Sequence, residues 1–135
     1  MNQNSFEYRK ERVCMSAIHL AITSYQTGFV GLENYFDSEL ISEDNTNAFF
    51  NYGINLICDG ATPERLALLL EIEKMKWIKT PDSTVDDLEI IAIVEHFLKA
   101  IHAGKIDLVV ELCSVILPNK RKTFHQILSQ STQVP

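Results

Sequence analysis

The chain has 135 residues, 46% of them hydrophobic and 22% charged, with a formal net charge of −6 and an isoelectric point near 5.1. At roughly 100–200 residues per domain, this length excludes a second sizeable core, and a chain of this size buries enough surface to need no disulfide or metal staple. Twelve Lys and Arg against 18 Asp and Glu argue against a sequence-blind grip on phosphate backbones, so nucleic acid is not an expected partner.

Apolar residues recur at spacings of three and four, and strict alternation never persists. The expected fold is all-α, a single compact bundle of five or six helices. A first helix is predicted over Phe6 to Gln26, with Val13, Ala17, Leu20, Ile22 and Tyr25 around its inner side. Gly28 and Gly31 lower helix propensity by roughly 1 kcal/mol each, which suggests a kink or a close contact. Phe29, Leu32 and Phe36 carry the apolar face onward, and the polar segment Asp37 to Asn47 reads as a loop. Ala48 to Cys58 forms a helix whose face is Phe50, Ile54 and Ile57, stopped by Asp59-Gly60 because Gly accepts the left-handed terminus.

Thr62, Pro63 and Glu64 give the clearest helix start: a capping hydroxyl, a residue needing no N–H, and an acid at the positive end of the dipole. That helix is predicted to reach Ile78 and to bury Leu66, Leu69, Leu70, Ile72 and Trp77 before Thr80-Pro81-Asp82 breaks it. Ser83 with Asp86 resembles a capping arrangement for a helix from Thr84 to Ala103, whose face is Leu88, Ile91, Val94, Leu98 and Ile101. Gly104 ends it, Ile106 to Leu117 forms another helix closed by Pro118, and Thr123 to Leu128 adds a short turn. Residues 129–135 read as a frayed tail. Phe50, Ile54, Leu66, Leu69, Leu88, Ile91, Leu98, Val109 and Leu112 are expected to share one core.

Cys14, Cys58 and Cys113 are far apart, odd in number and set in apolar runs, which suits buried hydrophobes in a reducing cytosol. Glu7, Glu11 and His19 spoil the only signal-peptide candidate, and no stretch reaches 18 mainly apolar residues, so a cytoplasmic chain without a membrane span is expected. His96 and His102 are six apart, about 120° around a helix, whereas helical metal-ligand pairs need three or four. Cys14 and His19 lack an orienting third group, and there is no phosphate loop, G-x-S-x-G or His-Glu-x-x-His. No catalytic residue, metal ligand or cofactor is therefore assigned.

Charge placement is more informative. Between Val13 and Glu64 there is no Lys or Arg, while Glu33, Asp37, Glu39, Glu43, Asp44, Asp59 and Glu64 are present. Arg9, Lys10 and Arg12, and Lys120, Arg121 and Lys122, form opposite blocks. Such charges often only solvate loops and helix ends; a one-signed stretch also steers a partner of opposite sign.

The segment Gln26 to Glu33, Q-T-G-F-V-G-L-E, then Phe50 to Gly60, F-N-Y-G-I-N-L-I-C-D-G, then A-T-P-E-R-L-A-L-L-L-E-I-E to Glu73, resembles the cytoplasmic loop of the flagellar stator subunit MotA, of the MotA/TolQ/ExbB proton-channel family. Leu88 to Gly104, followed by I-D-L-V-V-E-L and R-K-T-F, resembles the family's last cytoplasmic helices. The resemblance divides the chain into an N-terminal helix (1–25), a first-loop-like half (26–79) and a C-terminal-region-like half (80–128). It implies a non-enzymatic interaction module that contacts the flagellar rotor switch protein or another motor component, at the cytoplasmic face of the motor and peripheral to its membrane complex. The family threads four membrane helices that have no counterpart here, so no proton channel can be built from this chain. Glu33 matches the family's rotor-contacting Glu, but the Arg the family places eight residues earlier is Tyr25 here. Tyr25, Glu33, Asp37 and Glu39 are the candidate protein-interaction residues. A regulatory adaptor unrelated to motility, and a small helical enzyme or sensor, are the competing readings.

Overall fold

The computed structural model describes residues 5–32 and 45–132, the side chains of 45–47 and 132 excepted. The described residues are all-α. Six α-helices have both bounds among the described residues, in chain order: α1 (Phe6–Thr27), α2 (Asn45–Cys58), α3 (Pro63–Lys79), α4 (Val85–His102), α5 (Ile106–Ile116) and α6 (Arg121–Thr132). With the 3-10 turn Pro118–Lys120, seven helical elements pack together rather than five or six. The excess lies at the C-terminal end, where a full helix α6 replaces the expected short turn and takes in residues 129–132 of the expected frayed tail. Phe124, fully buried, anchors α6, and Gln26 Nε2 donates to Ser131 O at 3.1 Å, tying its last turn to the end of α1.

Local chemistry explains the boundaries. Thr62 accepts from the Arg65 amide at 3.2 Å ahead of Pro63, which caps α3 as its sequence suggests. The start of α4 shifts by one residue: Thr84, not Ser83, is the cap, and Asp87, not Asp86, closes the capping box, each side chain meeting the other's amide at 3.1 Å. Arg9 on α1 supports this register, its guanidinium reaching Asp87 Oδ1 at 2.6 Å. Gly28 (φ 72°), Gly60 (φ 85°) and Gly104 (φ 73°) hold left-handed conformations. Gly28 therefore terminates α1 instead of kinking it, its N–H returning to Ser24 O at 2.9 Å.

Helix α4 is the hub, packing against α1, α2, α3 and α5, while α6 lies on α5 and α1. Its buried side chains Ile90, Ile91, Val94, Phe97, Leu98, Ala100 and Ile101 surround the helix more fully than one stripe would. On α1, Val13, Ala17, Leu20 and Ile22 are buried as the periodicity predicts, but Tyr25 is 61% exposed because it lies in the last turn, beyond the neighbouring helices' cover. Phe50, Ile54, Leu66, Ile91, Leu98 and Val109 join the core, whereas Leu69, Leu88 and Leu112 are only half-buried. On α3 the inward residues are Leu66 and Leu70, with Leu68, Ile72, Met75 and Ile78 on the outer side. The expected burial of Ile72 fails because, among the described residues, α3 packs on α2 and α4 alone and keeps one face outward.

Candidate functional site

The C-terminal turn of α1 and the corner between α4 and α5 border a half-open cavity of about 340 Å³. Ala21, Ser24, Tyr25, Gly28 and Phe29 form one wall; Ile101, Gly104, Lys105 and Ile106 form the other. Two left-handed glycines make it. Gly28 turns the chain off α1 so that Phe29 folds back, and Gly104 ends α4 so that α5 departs at an angle. The two walls are about 80 residues apart in sequence and meet only because α1 packs on both α4 and α5.

Phe29 is held from two sides. Its ring stacks on His102 with centroids 6.0 Å apart and planes 12° from parallel, and its carbonyl accepts from Cys58 Sγ at 3.3 Å. His102 Nε2 lies 2.7 Å from Ala61 O; a carbonyl only accepts, so Nε2 carries the proton. The wall is thus braced by the ends of α2 and α4.

The cavity has one fully charged lining residue, Lys105, which makes no ion pair among the described residues. Lys105 also stands at the cap position of α5, with φ −101° and no side-chain hydrogen bond to the first-turn amides. Ser24 and Tyr25 add hydroxyls, and among the described residues no carboxylate or imidazole lines the space. The described lining offers an apolar surface and one cation, which suits an apolar body with one negative group.

Of the residues singled out from sequence, Tyr25 lies on the cavity rim, while Glu33, Asp37 and Glu39 fall outside the described residues. Three of the six residues in the basic blocks pair between elements: Arg9 with Asp87, Lys120 with Glu11 at 2.8 Å, and Arg121 with Glu111 at 3.3 Å. They act as clasps joining α1 to α4, and the C-terminal turn and helix to α1 and α5. His125 Nε2 lies 3.2 Å from Glu111 Oε1, and His19 and His96 are exposed. Among the described residues no group of three or more His, Cys, Asp or Glu is placed to hold a metal ion.

Sequence spacing missed three arrangements. Cys14 and Cys113 are side by side across α1 and α5, Cys113 Sγ lying 3.6 Å from Cys14 O. The neighbouring Cys14 thiol and then burial push the Cys113 thiol upward, which keeps it protonated and unreactive. Glu95, only 4% exposed, accepts from Lys74 at 3.0 Å, and Lys74 also meets Glu71 at 3.0 Å. Lys105 carried a signal: a helix starting directly after Gly-Lys with no Ser, Thr, Asp or Asn to cap it. Comparison with protein-family models, curated proteins and solved structures yields no match to this chain.

Proposed function

We propose that this protein is a non-enzymatic protein-interaction module that docks a basic partner through the end of the bundle where α1 stops, acting at the cytoplasmic face of the flagellar motor. The observation that carries the reading is the exposure of Tyr25 at that end, an aromatic ring left 61% open to solvent in a chain stretch that has no Lys or Arg from Val13 to Glu64. An exposed aromatic in a stretch of sequence whose Lys, Arg, Asp and Glu content is all acidic suits a contact in which the ring supplies packing and the carboxylates supply steering. Glu33, Asp37 and Glu39 follow Tyr25 in sequence and supply that charge. The resemblance of Gln26 to Glu73 and of Leu88 to Phe124 to the stator cytoplasmic region supports the rotor switch protein as the partner.

The test is association with the purified rotor switch protein at several salt concentrations. Exposed charge pairs contribute only about 0–1 kcal/mol each, so no single carboxylate is decisive. Changing Glu33, Asp37 and Glu39 together to Lys is expected to slow association strongly and flatten its salt dependence, and Tyr25→Ala to speed dissociation. Unchanged association of the triple variant, or none by the native chain at low salt, would overturn the reading.

A further inference from the structure

We propose that the cavity between the end of α1 and the α4–α5 corner is a binding site for a small amphipathic carboxylate. Its apolar body lies against Phe29, Ile101 and Ile106, and its carboxylate lies at Lys105. The inference is independent of the docking reading, since it concerns the space behind the Tyr25 rim and needs no protein partner.

At about 340 Å³ the cavity falls at the small end of the roughly 300–1,000 Å³ range of small-molecule sites. Ala21, Phe29, Ile101 and Ile106 make its surface mainly apolar, so the occupant is mainly apolar as well. Its sign follows from Lys105: the one charged lining residue is a cation without an ion-pair partner among the described residues. Lys105 and Ile106 begin α5 at the same corner; no side chain caps its first turn, and Leu108 N–H turns back to Lys105 O at 3.1 Å, which leaves the Ile106 and Asp107 amides. One ammonium and a short set of amides match a monoanion. A phosphate dianion would demand more donors, and Asp107, one residue into α5, adds a negative charge nearby that disfavours it. Ser24 and Tyr25 hydroxyls serve the rim. Phe29 is braced by His102 and Cys58, so the apolar wall is formed before any ligand arrives.

The experiment is a titration of the ¹⁵N-labelled full chain, without partner, with octanoate, octanol and octylamine, read by amide chemical shifts. Octanoate is expected to produce saturable shifts at Gly28, Gly104 and Ile106, octanol weaker ones, and octylamine the weakest. Lys105→Gln should lower octanoate affinity about two- to fivefold and leave octanol unchanged, as the loss of one partly exposed charge pair requires. Ser24→Phe, which projects a ring into the cavity from a half-exposed position, should abolish the saturable response with helicity retained. Nuclear Overhauser contacts from octanoate to the Phe29 ring and Ile101 methyls test the site in the native chain, independently of any variant. Absence of saturable octanoate shifts, an equal response to octylamine, or octanoate binding that persists in folded Ser24→Phe would overturn the proposal. Shifts at these amides from a partner protein but not from octanoate would also overturn it and give the cavity to a partner's side chain.

Discussion

Gly53 lies buried on the inner face of α2, and a Cβ built there would stand 2.3 Å from Leu98 Cδ1 on α4. Replacing a mid-helix Gly by Ala gains up to about 1 kcal/mol of propensity, whereas overpacking a filled core costs about 1–3 kcal/mol. Leu98 is fully buried and cannot swing aside, so the second effect wins. Gly53→Ala is expected to lose about 1–2 kcal/mol by urea denaturation, and Leu98→Ala about 2–5 kcal/mol through the cavity it leaves. The double variant should lose less than the sum, because the new methyl enters the vacated space. Strict additivity would show that the two helices do not touch at Gly53. A second residue-scale test concerns Lys74. Burial works against its ammonium, yet hydrogen bonds to Glu71 and Glu95 outweigh this and raise its pKa above the ordinary 10.5. That contribution holds at lower pH and is lost as pH climbs through the raised value. Lys74→Met strands the buried Glu95 carboxylate and should cost about 2–4 kcal/mol at neutral pH, somewhat less than for a fully buried pair because Lys74 is partly exposed. Lys74→Met with Glu95→Leu should recover most of it; a double variant as unstable as the single one would place the cost elsewhere.

The helices were legible where punctuation is chemical. Thr62-Pro63 and the glycines at 60 and 104 mark ends whatever the tertiary context. The start of α4 was ambiguous because Ser83 and Thr84 each have an Asp three residues on, and only Arg9, 78 residues from Asp87, distinguishes them. Burial alone would raise the Asp87 pKa, but the Thr84 amide and the Arg9 guanidinium together hold it below the usual 3.8. A lowered carboxyl contributes stability above its unfolded value and loses it as pH falls through the folded one. Asp87→Asn should therefore cost about 1 kcal/mol at neutral pH, a cost that fades below about pH 4. A difference independent of pH from neutrality to pH 2 would contradict the ion pair. Helix α6 was illegible for another reason: its polar sequence has few apolar residues, and only packing on α1 and α5 reveals that Phe124 is fully buried. Phe124→Ala should cost about 3–5 kcal/mol by urea denaturation. A loss under about 1 kcal/mol would reduce α6 to the short turn its sequence suggests.

At the scale of the molecule, the cavity could not be read from sequence, since Tyr25 and Lys105 meet only through the packing of α1 on the α4–α5 corner. The place of Tyr25 on a cavity rim carries no local signal in the sequence. The same long-range packing decides how the chain unfolds. Helix α4, from the C-terminal-region-like half of the sequence, packs on α2 and α3 from the other half and also on α1, and residues of all of them share one cluster of buried side chains. Removing α4 would uncover every neighbouring helix at once, so no half retains a core of its own. Helix α3 is the strongest candidate for early loss, since among the described residues it packs on α2 and α4 alone and exposes Leu68, Ile72, Met75 and Ile78. Trp77, the single tryptophan, lies on it and reports its fate separately. Against early loss stand the fully buried Leu70, the buried Leu66, and the Lys74 bridge to Glu95 on α4. Detaching α3 would uncover these apolar side chains and strand Glu95, together costing several kcal/mol, a sizeable part of the roughly 5–15 kcal/mol stability of a small domain. Urea unfolding followed by tryptophan fluorescence and by far-ultraviolet circular dichroism is therefore expected to give coincident midpoints. A fluorescence midpoint lower than the dichroism midpoint by more than about 0.5 M urea would show α3 leaving first, and α4 would then not bind both halves into one cooperative unit.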